Sequence, residues 1–161
     1  MQAIKKQNAV FAFLEEYQKA IKELQYIIAD VNEVELLKIV DTITSNSECR
    51  SIQTILTHVI SSGYSYYMYI QNHRNIDSKR PEQKLRLTTF EYSNDLDKVL
   101  EFTNQTFSVI YDNELEEFNN SNKIITKWGQ YYDIEQMMEH AIVHILRHRR
   151  QIGNFKKIIR S

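Results

Sequence analysis

Apolar residues recur at three- and four-residue steps in four long stretches, the spacing of helices that bury one face. In the first stretch Val10, Leu14 (with Phe13), Tyr17, Ile21, Leu24 and Ile28 form a seam that fades near Asp30. Residues 31–46 form a connection containing Leu36, Leu37, Ile39 and Val40, enough for a short turn of helix packed under the rest. The second helix is predicted from Ser47, whose hydroxyl can cap the first turn with Glu48 at the positive end of the dipole. Its broad apolar face runs through Ile52, Ile55, Leu56, Val59, Ile60, Gly63, Tyr66, Tyr67 and Ile70, fading near Ile76. The third is predicted from about Ser93 to Tyr111, with Leu96, Val99, Thr103, Phe107 and Ile110 as its seam. A loop rich in Asn and ending in KIITKWGQYY follows. Asp133 then reads as an N-cap, with Gln136 completing a capping box, and the fourth helix runs to about Ile158.

Between the second and third helices lies the polar stretch DSKRPEQKLRLTTF, residues 77–90. At about 3.3 Å per extended residue it reaches ~45 Å, the full length of a bundle and more than a hairpin needs. A crossover that leaves the second and third helices parallel follows. The fold expected is all-α, a four-helix bundle with that long crossover, and one domain over residues 1–161.

Composition supports long elements. Three Gly and one Pro among 161 residues leave little punctuation for the many tight turns of a sheet protein. With 42% apolar and 25% charged residues the chain is too apolar for disorder, and a net charge of −1 with mixed signs and no charged tail gives nothing that points to a nucleic-acid or anionic-membrane partner. The apolar runs are too short to span a bilayer, and the N-terminus lacks the pattern of a secretory signal. A single cysteine, Cys49, excludes an internal disulfide and favours the intracellular default. Its place near a helix start would favour a thiolate, but a small filler is the plainer role.

The chemistry-bearing residues are histidines. His140, His144 and His148 climb one side of the fourth helix, each step rotating by about 40°. With His148 at zero, the apolar seam (Met137, Ala141, Ile145, Ile152, Phe155, Ile159) spans about −20° to +60° by the same geometry. His148 therefore faces inward, His144 sits on the shoulder, and His140 lies further out, with Gln151 bordering the stripe. Two imidazoles one turn apart on the inward side present two nitrogens to one metal, or form a hydrogen-bonded pair at the core edge. His58, on the flank of the second helix, is about ten residues or ~15 Å into that helix, and His148 is about as far from the end of the fourth. Antiparallel helices bring the two to one level, giving three nitrogens with open positions on the remaining side. His73, near a helix end, reads as a surface residue.

HAIVH has the frame of a zinc protease but not its base, because Ala141 follows the first histidine and Glu139 points away from the seam. No nucleophile elbow, phosphate loop or dinucleotide fingerprint is present. Among the clustered aromatics (Tyr64, Tyr66, Tyr67, Tyr69, Trp128, Tyr131, Tyr132), core and helix-end packing is the default, with Tyr69 the best placed to line a pocket beside the histidines.

EHAIVHILRHRRQIGNF (Glu139 to Phe155) resembles the last helix of the DinB/YfiT-like family of four-helix bundles, and SIQTILTHVI (Ser51 to Ile60) is similar to that family's second helix. The resemblance follows the order of elements across nearly the whole chain. It implies a divalent metal, nickel or zinc, held by His58, His144 and His148, with His140 an additional candidate. Arg150 stands where the family frequently has glycine. The resemblance further implies a metal-dependent enzyme acting on a small molecule, first a transferase using a low-molecular-weight thiol and next a metal-assisted hydrolase. Gln151 would support a ligand, and the protein would be a cytoplasmic homodimer. The rival expectation is a non-catalytic, metal-stabilised or dimerising stress-response bundle.

Overall fold

A computed structural model describes residues 8–161, so the first seven residues of the expected domain lie outside the described chain. The structure is mostly helical, with five α-helices and one two-stranded sheet among the described residues. Helix α1 (Asn8–Ile28) buries the predicted seam through Val10, Tyr17, Ile21, Leu24 and Ile28. The short α2 (Glu33–Leu37) opens with an Asn32–Glu35 capping box and anchors on Leu36, as the connection's apolar residues suggested.

The next helix starts later than expected. Ser47–Cys49 form a separate 3-10 turn capped by Asn46, and α3 (Ile52–His73) begins only after Ser51. Ser51 is extended, with φ −140° and ψ 165°, so the helical phase is broken there. Its hydroxyl accepts from the Thr54 amide at 3.1 Å while the Thr54 hydroxyl accepts from the Ser51 amide at 3.1 Å, a two-way cap that Ser47 cannot offer. Helix α4 (Thr89–Phe107) likewise starts four residues before the predicted Ser93, because Thr88 and Glu91 form a capping box. Helix α5 (Ile134–Arg160) begins at the predicted Asp133–Gln136 box. Strands β1 (Ile124–Ile125) and β2 (Tyr131–Tyr132) pair antiparallel in the segment expected to be loop. Gly129, at φ +84°, closes the turn between them in a conformation that other residues adopt only with strain.

The four long helices close a ring of contacts in which α1 packs on α4 and α5, and α3 on the same two. Contacts between α3 and α4 climb in the same direction. Thr57 meets the Tyr92 hydroxyl at 2.6 Å, the Tyr64 and Phe102 rings lie 5.2 Å apart, and Gln71 donates to Thr106 at 2.8 Å. Those of α3 with α5 run oppositely: His58 lies against His144, while Tyr67 reaches Met138 at 3.5 Å. Along α1 and α5 the ion pairs Glu23–Arg149 and Asp30–Lys156 again ascend together. Among the described residues no helix is long and apolar enough to cross a membrane.

Candidate metal centre

His58 comes from the second turn of α3, and His144 and His148 from successive turns of α5. Because the two helices pass in opposite directions, the three rings meet at one level. Nε2 of His58 lies 3.0 Å from Nε2 of His144, which lies 3.2 Å from Nε2 of His148. One nitrogen from each of the three falls within 4.8 Å of the others, a set that could hold a metal ion. The exposures follow the angular order read from the helical wheel, with His148 buried at 4% and His144 intermediate.

The outward nitrogens of two rings are already engaged. Nδ1 of His58 is 3.0 Å from a Glu48 carboxylate oxygen, and Nδ1 of His148 is 2.9 Å from the Gln151 side-chain oxygen. Both partners accept at those atoms, so each Nδ1 carries the proton and each Nε2 is left with a bare lone pair aimed at the shared centre. A proton on Nε2 of His144 can serve one of these lone pairs but not both. A cation bound by all three resolves the conflict, and three neutral imidazoles suit zinc, nickel, copper or iron. Burial, with the neighbouring His148 and His58 adding to it, pushes His144 down to about 3. Burial also lowers His148, against the opposing effect of the Gln151 hydrogen bond. Both are neutral at pH 7, the protonation state that ligation requires.

His140 stays out of the trio. Its Nδ1 lies 3.2 Å from the Tyr132 hydroxyl, and its ring stacks on Trp128 at a centroid distance of 5.2 Å and 25° between planes. The β1–β2 turn carries Trp128 to this position, and the Tyr69 hydroxyl holds the turn by accepting from the Lys127 amide at 2.9 Å. Together they wall a cavity of about 540 Å³ that His58 and His144 also line, so the histidine cluster opens onto it. Tyr69 thus stands where the sequence placed it, while His73 is exposed at the end of α3. Ala141 is buried and Glu139 exposed, so neither supplies a general base to the trio. Cys49 is half-buried, its sulfur 3.5 Å from the Asn46 amide nitrogen.

Glu48 is the residue that sequence reasoning placed for another purpose. Its sequence position suggests an acid at the positive end of a helix, whereas the separate 3-10 turn places it against His58. No signal in the sequence distinguishes the two roles. Compared with known proteins, the chain matches no family model, and no curated protein is significantly similar to it.

Proposed function

We propose that His58, His144 and His148 bind one divalent metal ion, nickel or zinc, and that the protein is a metal-dependent enzyme acting on a small molecule. The observation that carries this reading is the convergence of three Nε2 atoms, two of their rings held at Nδ1 by Glu48 and Gln151. Carboxylate and amide partners on the far ring nitrogen are the usual support of histidine ligands, fixing tautomer and orientation. A bound divalent ion with open positions would lower the pKa of a thiol or water that it holds. The protein's own residues then present three ligands on one side, support them from outside, and leave the cavity side free for substrate.

The reading extends to architecture and family. The parallel course of α3 and α4, joined by the non-helical residues 74–88, supports a four-helix bundle with a long crossover. That order of elements is the one implied by the DinB/YfiT-like resemblance, and family membership is part of the proposal. Transfer involving a low-molecular-weight thiol is the first reaction class, metal-assisted hydrolysis the second. A cytoplasmic homodimer is the associated assembly. A metal-stabilised scaffold without activity is the competing reading; the open cavity at the histidines favours the enzyme, because structural sites are closed by four protein ligands.

Metal content of untagged protein tests the centre directly. About one equivalent of a divalent metal in wild type, lost in both His58→Ala and His148→Ala, is the expected result. Wild-type protein that stays metal-free after incubation with nickel and zinc would refute it.

A further inference from the structure

Two cations line the cavity beside the histidines, and no acid lines it among the described residues. Arg80, from the segment after α3, turns back onto that helix. Its Nη1 donates to the Ser65 hydroxyl at 2.7 Å, the Ser61 hydroxyl at 3.0 Å and the Ser61 carbonyl at 3.3 Å. Lys127 is carried to the cavity by the β1–β2 turn, its backbone amide donating to the Tyr69 hydroxyl. Both side chains line the cavity.

Neither has a carboxylate partner among the described residues, in contrast to the arginines that are neutralised where they pack. Arg74 pairs with Glu114, Arg86 with Asp95, Arg149 with Glu23, and Arg160 with Asp30 and Glu35. Neither Arg80 nor Lys127 forms an ion pair among the described residues. Glu48, which contacts Nδ1 of His58, does not line the cavity. Two like charges converging on one concave surface repel each other and focus a positive potential there. An anion that enters relieves that repulsion. The same cavity is lined by flat aromatic rings, Trp128 at 45% exposure with Tyr66 and Tyr69.

We propose that this cavity binds a small organic anion, its charged group held by Arg80 and Lys127 and its body packed against Trp128 and the tyrosines. This names the substrate class of the proposed metal site and rests on that reading for the reactive end of the molecule. The anion-binding end depends only on the two cations and the aromatic wall. A carboxylate and a phosphate monoester share the recognised chemistry, and the test separates them.

Trp128 is the single tryptophan of the chain, so its fluorescence reports cavity occupancy without interference. Benzoate, benzamide and benzamidine have one shape and three charges, and phenyl phosphate supplies the other anion. Each is titrated into metal-free and zinc-incubated protein at low ionic strength, by fluorescence and by calorimetry, with bound zinc measured on the same samples. Benzoate or phenyl phosphate should bind metal-free protein about tenfold more tightly than benzamide, and benzamidine most weakly, the weight of two partly exposed charge contacts. Arg80→Gln and Lys127→Gln should each reduce the preference about threefold and together abolish it; both residues are exposed, so the fold is not at stake. The tighter of the two anions identifies the carboxylate or the phosphate as the natural head group.

Equal affinities across the charge series, no detectable binding of any probe, or a preference that survives the double substitution would overturn the proposal. A preference appearing only with zinc bound would do the same, since the metal and not the cations would then hold the anion. Failure of the metal reading is distinct: protein that takes up no zinc yet prefers benzoate keeps this inference and loses the other.

Discussion

Acidification of the metal-free protein should cost stability through His144 in particular. In the unfolded chain this imidazole titrates near 6.5, whereas in the folded protein burial and its two neighbouring histidines hold it at about 3. Above pH 6.5 neither state binds the proton, and the group costs nothing. As the pH falls below 6.5 the unfolded chain takes up a proton that the folded chain refuses. Stability is then lost progressively until the folded-state value is reached. The slope is about 1.4 kcal/mol per pH unit, so lowering the pH from 6.5 to 4.5 removes roughly 2–3 kcal/mol through this residue alone. That is a large fraction of the total for a domain whose stability is on the order of 5–15 kcal/mol. Urea unfolding of metal-free wild type and His144→Asn at pH 7.5, 6.5, 5.5 and 4.5 isolates the histidine cluster, because titrations away from it are common to both proteins. The wild-type curve should fall toward the variant's, or cross it, by about 2–3 kcal/mol over the last two units. Parallel curves would show that the pH dependence arises elsewhere, and the account of a buried neutral cluster would be wrong.

Other predictions concern the metal, its outer partners and the packing. Thermal unfolding should depend on zinc concentration: a free concentration a hundredfold above Kd adds about 2.7 kcal/mol, or roughly 5–10 °C, and His58→Ala should remove the response. Glu48→Gln and Gln151→Ala each leave the three ligands in place but loosen a ring, so competition with a chelator should show metal affinity reduced about 10–100-fold. At Gly63, midway along α3, an added Cβ would sit 2.7 Å from Cγ1 of the buried Val99 on α4. Gly63→Ala should therefore destabilise by about 1–2 kcal/mol despite its gain in helix propensity, and adding Val99→Ala should recover part of the loss. At Gly153 the new Cβ meets only the tip of the flexible Ile27 side chain at 3.2 Å, so Gly153→Ala should stabilise by about 0.5–1 kcal/mol in the same assay.

Long-period information in the sequence translated well into structure, and local chemistry less so. The seams of α1, α3, α4 and α5 were legible because a helix repeats its buried face over five turns or more, and single misfits average out. Helix starts depend on one or two hydrogen bonds. Asp133 was found because Gln136 completes its box in a familiar arrangement. Thr88–Glu91 has the same form, but it lies at the end of a polar stretch whose length had already been given to the crossover. Ser47 and Ser51 are both plausible caps, and only the extended backbone at Ser51 decides between them. The β1–β2 pair is two residues per strand, too short for alternation to register.

The site divides along the same line. His144 and His148 share one helix, so their common direction follows from a four-residue step. His58 could be joined to them because α3 and α5 pass antiparallel, although α3 starts at Ile52 and puts His58 six residues into the helix instead of the expected ten. Glu48, Arg80 and Lys127 each reach the site from irregular backbone, where sequence separation carries no direction. Glu48 lies ten residues before His58, yet it approaches the ring because the helix is interrupted at Ser51. In an unbroken helix those ten residues would span ~15 Å, too far for the pair to touch. The break that displaced the predicted helix start is therefore the feature that brings a carboxylate to the candidate ligand. One break in the backbone thus supplies both the cap of α3 and the carboxylate against the candidate ligand.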